Sequence, residues 1–83
     1  MTIAADEQSI KRVIREALQQ IETVLGKETA DAVLQTCPQA KTARTPDELM
    51  QVGLNFINHG GLVEMIGRCL KTRAVLWGAR IPR

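Results

Sequence analysis

Few residues in this 83-residue chain could carry chemistry, and they are scattered. One histidine (His59), two cysteines (Cys37 and Cys69) and one serine (Ser9) are the candidates for nucleophile or ligand. A catalytic nucleophile needs a base within hydrogen-bond reach and a third group that orients the base. Ser9 has no motif around it and lies far from His59 in sequence. A metal site needs ligands at short fixed spacings, and neither cysteine belongs to a CxxC pair. No Walker loop or GxGxxG segment is present, so Gly60-Gly61 reads as a turn rather than a phosphate cradle. The chain is therefore read as a non-enzyme, with no metal and no cofactor. Cys37 and Cys69 fall on apolar helical positions and read as small core residues. His59, at a helix end beside glycines, reads as a C-terminal cap on the last carbonyls.

The chemistry that remains is charge. Residues 1–35 carry four cations against six acids, a net of −2, and residues 36–83 carry seven against three, a net of +4. No acid follows Glu64, whereas Arg68, Lys71, Arg73, Arg80 and Arg83 do. These five form the candidate anion- or partner-binding set, suited to phosphates or to an acidic protein surface. Arg73 is the sharpest of them. Helical periodicity puts it inside an apolar stripe, where an unpartnered guanidinium costs on the order of several kcal/mol. A carboxylate such as Glu22 or Asp47, a phosphate or another subunit would relieve that cost.

Only Phe56 and Trp77 are aromatic, too few for a surface that stacks single-stranded bases. A helix-turn-helix across His59-Gly60-Gly61 would open its recognition helix on Leu62-Val63-Glu64-Met65, which lacks donors for base edges. Sequence-specific readout is not expected.

Four helical segments must position these groups. Ile10, Ile14, Ala17, Ile21 and Val24 alternate at spacings of four and three, a heptad seam on a helix over 6–25. Gly26 ends it in a left-handed conformation. A short helix over 27–36 shows Ala30, Val33, Leu34 and Cys37 on one face, and Pro38 stops it. Gln39–Arg44 is a polar connection. Thr45-Pro46-Asp47-Glu48 is a capping box with proline in the first turn, opening a helix over 46–58. Its broad arc of Leu49, Met50, Val52, Gly53, Phe56 and Ile57 marks it as central. The last helix, over 62–77, shows Leu62, Val63, Met65, Ile66, Cys69, Leu70 and Trp77 on one side, and a basic tail fills 78–83. Ala74-Val75-Leu76-Trp77 has a competing reading as a short terminal strand.

The predicted fold is all-α, a single-domain four-helix bundle. Leucine, isoleucine and valine make up about a quarter of the chain, which argues against disorder. Chains this small bury a modest share of their surface, so dimerisation is expected to complete the core, with Ile10, Ile14, Ala17, Ile21 and Val24 as the dimer or partner face. The N-terminus has no basic region followed by an apolar run, and no apolar stretch is long enough to span a bilayer. The expectation is a soluble cytoplasmic protein.

The leading functional reading is a helical protein–protein interaction module, an adaptor or regulatory subunit. It would work as a homodimer or with a partner whose helical surface is acidic or apolar. The alternatives are nucleic-acid binding through phosphates at the basic C-terminal segment, and a helical pocket for a small anion with Arg73 as counter-ion and Trp77 as wall.

Overall fold

The first helix opens on a carboxylate. In the computed structural model, which describes residues 6–80, Asp6 is the N-cap of α1 (Glu7–Leu25), and its side chain accepts the Ser9 N–H at 2.8 Å. That bond holds the Asp6 carboxyl below its ordinary range. Glu7, hydrogen-bonded to Lys11 at 3.0 Å and near Arg44, is also lowered. Gly26 ends the helix with φ +97° and ψ 160°, returning its N–H to Glu22 O at 2.9 Å. The positive φ was expected. The ψ is extended rather than left-handed helical, a region only glycine occupies readily. The same glycine starts α2 (Lys27–Thr36), so the chain turns back on α1 without a loop.

A 3-10 turn (Pro38–Lys41) follows, then α3 (Pro46–Ile57) and α4 (Gly61–Leu76). The polar connection expected over Gln39–Arg44 needs correction. Ala40 and Ala43 are buried in it, and the turn packs on α3. The threonine half of the capping box forms as read, while the glutamate reaches the N–H of the residue before the cap. Thr45 Oγ1 accepts the Glu48 N–H at 3.2 Å, while Glu48 Oε1 accepts the Thr45 hydroxyl at 3.1 Å and the Arg44 N–H at 3.2 Å. Replacing the cap, Thr45→Ala, is expected to remove about 1 kcal/mol of stability, with a melting-temperature loss of roughly 4–8 °C measurable by circular dichroism.

The strand reading of the C-terminal segment is overturned, because Ala74–Leu76 is the last turn of α4. The helix ends in a Schellman motif. Gly78, at φ +103°, donates to Val75 O at 3.1 Å, and Ala79 donates to Ala74 O at 2.9 Å and is itself buried. The Arg80 N–H then reaches Asp47 Oδ1 at 2.9 Å, tying the end of α4 to the start of α3. The two helices are thus antiparallel, and they form the closest packing in the molecule.

That packing depends on two glycines. A Cβ added at Gly67 would lie 2.7 Å from Gly53 O and from Phe56 Cβ, and 2.8 Å from the Ile57 nitrogen. One at Gly53 would lie 2.9 Å from Gly67 O and from the Lys71 nitrogen. The α3 and α4 backbones therefore touch at their midpoints, with no room for side chains between them. Around this contact lie Leu49, Met50, Val52, Phe56, Val63, Ile66, Leu70 and Ala74 from α3 and α4, Ile10, Ile14, Ala17 and Ile21 from α1, and Ala30 and Val33 from α2. No buried residue among those described is polar or charged. One chain closes this core without a second copy. No described helix is long and apolar enough to cross a membrane.

Candidate functional site

The Gly67 contact fixes which side of α4 faces inward. Val63, Ile66, Gly67, Leu70 and Ala74 are buried against α3 and α1. Of the stripe expected to face inward, Val63, Ile66 and Leu70 do so and Leu62 and Trp77 pack partly against the core, whereas Met65, Cys69 and, within the same stripe, Arg73 are turned toward solvent. Arg73 is exposed, with its guanidinium 5.5 Å from the centroid of the Trp77 ring. This corrects the premise that made Arg73 conspicuous: it lies outside the core and needs no buried counter-ion. Asp47, one suggested partner, instead binds the Arg80 backbone.

The rotation exposes a second regular row. Leu62, Met65, Cys69, Thr72 and Leu76 follow one another at spacings of three, four, three and four, the a and d positions of a heptad. Leu62 is half-buried, whereas Met65 is 64% and Leu76 77% exposed. Cys69 is exposed too, which overturns its reading as a core residue. The Thr72 hydroxyl donates to Arg68 O at 3.0 Å, so it is satisfied within its own helix. A row of this kind loses free energy to water for each apolar group it shows.

At its N-terminal end the row borders a groove of about 260 Å³ walled by Val13, Glu16 and Gln20 of α1, with Ala17, Ile66 and Leu70 contributing to its lining. The groove is small for a drug-sized ligand, whose pockets run about 300–1,000 Å³, yet it can take side chains from another helix. Toward the C-terminal end, Arg68, Cys69, Thr72, Arg73 and Leu76 line a shallow depression, with one arginine on either side of the row.

The proposed seam of α1 has a different fate. Ile10, Ile14, Ala17 and Ile21 are buried inside the single chain and cannot also serve as a dimer face. Only Val24, at 61%, faces solvent, beside Leu25 at 43%. A heptad row packs equally well within a chain or between chains, and here α1 packs inside its own chain, mostly on α2 and also on α4 and α3.

The basic set does not converge. Arg68 Nε and Nη2 reach Glu64 Oε2 at 3.0 and 2.8 Å. Lys71 is half-buried, and steps of about 100° per residue set it roughly 60° from Arg68 and roughly 160° from Arg73 around α4. Arg80 is held by its backbone near the start of α3, and Arg83 lies outside the described residues. The tail from 78 on is docked at its root rather than free.

His59 does something the sequence did not indicate. Its Nε2 lies 2.9 Å from Thr36 Oγ1, whose hydroxyl donates to Val33 O at 2.9 Å. With the single hydroxyl proton on Val33 O, His59 donates from Nε2; in the other tautomer Thr36 donates to the ring instead. With Asn55 Nδ2 donating to Thr36 O at 3.1 Å, the end of α3 is clasped to the end of α2. The histidine ties two helices together rather than capping its own. Cys37 beside this clasp is buried, and burial pushes its thiol above the ordinary range, so it stays protonated. No group of three or more histidine, cysteine or acidic side chains among the described residues is placed to hold a metal ion.

The exposed α4 row is the feature the sequence reading missed. The signal was present as a second heptad phase, together with two glycines at the centres of helices, where glycine costs roughly 1 kcal/mol unless close packing repays it. Compared with known protein families, curated proteins and solved structures, the chain matches none.

Proposed function

We propose that the protein is a non-enzymatic interaction module that receives a helix of a binding partner on its α1–α4 face. One observation carries this reading. The core is closed within a single chain, yet α4 keeps an apolar heptad row in water, with Met65 and Leu76 more than half exposed. An extra apolar row raises the free energy of the isolated chain and lowers that of a complex, which is the signature of a recognition surface. Methionine suits such a place, because its flexible thioether adapts to different shapes. A homodimer would have to use this face as well, since the α1 seam is occupied. The phosphate-binding alternative has less support, because the basic residues described do not converge on one surface.

Cys69 offers a native reporter. In the folded chain it should react readily with iodoacetamide, whereas Cys37, only 1% exposed, should not. A peptide forming a leucine-heptad amphipathic helix is expected to slow alkylation of Cys69 without affecting Cys37. In the double variant Met65→Glu, Leu76→Glu that protection should weaken at least about tenfold in peptide concentration, with an unchanged melting temperature, because both side chains lie outside the core. Equal protection of both proteins would reject the α4 row as the binding surface.

A further inference from the structure

We infer that the occupant of the α4 row is an amphipathic helix of another protein, flanked by carboxylates, and not a second copy of this chain; this rests on the interaction reading above. The argument is one of charge at the heptad flanks. With Leu62, Cys69 and Leu76 at a and Met65 and Thr72 at d, Arg68 falls at g and Arg73 at e, the two positions that face a partner helix across an apolar seam. They line the same depression as Cys69, Thr72 and Leu76.

The other charges on this face cancel locally. Glu16 on the α1 wall pairs with Arg12 at 3.4 Å, and Glu64 pairs with Arg68 at 2.8 Å. Arg73 has no ion pair among the described residues, and no acid follows Glu64 in the sequence, so the row becomes positive toward its C-terminal end. A second copy fits this badly. In a parallel pair of α4 helices g meets e, and in an antiparallel pair g meets g and e meets e. Arginine would face arginine either way, and like charges across a seam are destabilising. A helix with glutamate or aspartate at its flanking positions turns the same two arginines into attractive contacts. The row from Leu62 to Leu76 is about 21 Å long, the length of four helical turns. That is the footprint of a single helix.

The experiment uses two synthetic peptides of about 18 residues with an identical leucine heptad, one flanked by glutamates and one by lysines, at concentrations where both are monomeric. Binding to the full chain is followed by Cys69 alkylation and by titration calorimetry, alongside light scattering of the protein alone. The glutamate-flanked peptide should bind about tenfold more tightly at low salt, with the gap closing as ionic strength rises. Arg73→Glu should reverse the preference while leaving the fold intact, since Arg73 is exposed. Equal binding of the two peptides, lost in Met65→Glu, Leu76→Glu, would overturn the acidic partner and leave the interaction reading standing. Binding unaffected by that double variant would overturn both. A concentration-dependent dimer that the same variant dissolves would put a second copy on the row and sink the inference. So would sedimentation with phosphatidylserine vesicles that the variant abolishes, which would put lipid there.

Discussion

Phe56→Ala should remove about 4 kcal/mol of folding free energy, the largest loss expected of any single truncation in this chain. Phe56 is fully buried, is the largest of the fully buried side chains, and touches the point where α3 and α4 meet. Deleting its ring forfeits the transfer free energy of the removed atoms and leaves a cavity. The cavity cannot collapse, because the Gly53–Gly67 contact already holds the two helices at backbone distance. Domains of this size have a total stability of roughly 5 kcal/mol, so the variant should stand near its unfolding midpoint at 25 °C. Urea unfolding followed by circular dichroism measures it. A loss under about 1.5 kcal/mol would mean that Phe56 is not at the centre of the core.

Gly67→Ala should destabilise by about 3 kcal/mol, against the usual direction for glycine in a helix. Replacing a mid-helix glycine by alanine ordinarily gains up to about 1 kcal/mol. Here the added methyl meets Gly53 O and Phe56 Cβ at 2.7 Å and the Ile57 nitrogen at 2.8 Å. Two of the three obstacles are backbone, which no rotamer change can move, so α3 must shift as a body. Gly53→Ala faces the same geometry from the other side. Once either methyl has separated the helices, the second meets less resistance, so the double variant should lose less than the sum of the singles. Additive losses, or a stabilised Gly67→Ala, would show that the helices do not touch there. The same variants bear on the α4 row, because any rotation of α4 away from α3 would alter the exposure of Met65 and Leu76 and with it the alkylation rate of Cys69.

Much of the fold was legible because it is written locally. Asp6, Thr45 with Glu48, Gly26 and Gly78 set helix ends through bonds to backbone groups three to five positions away, and these need no tertiary information. The heptad seam of α1 was equally plain, although periodicity alone could not say whether its partner lay in the same chain. The buried Ala40 and Ala43 were missed because a segment of Gln39, Lys41, Thr42 and Arg44 looks polar when its alanines are not weighed. The His59–Thr36 clasp joins residues 23 apart, beyond the reach of local reasoning.

What the sequence by itself determined is the number of helices, where they start and stop, and that α1 carries a single dominant apolar face. What only the tertiary structure decided is the orientation of α4, and hence which residues remain for a partner. The physical reason lies in the composition of that helix. Apolar and small residues recur on α4 in more than one phase: Leu62, Met65, Cys69 and Leu76 make one row, and Val63, Ile66, Gly67, Leu70 and Ala74 make another. Close-range attraction decides between them, because only the glycine-centred face lets two backbones meet, and dispersion falls off within an ångström of separation. Burying that face gives the molecule its core and leaves Leu62, Met65, Cys69 and Leu76 as the row facing outward.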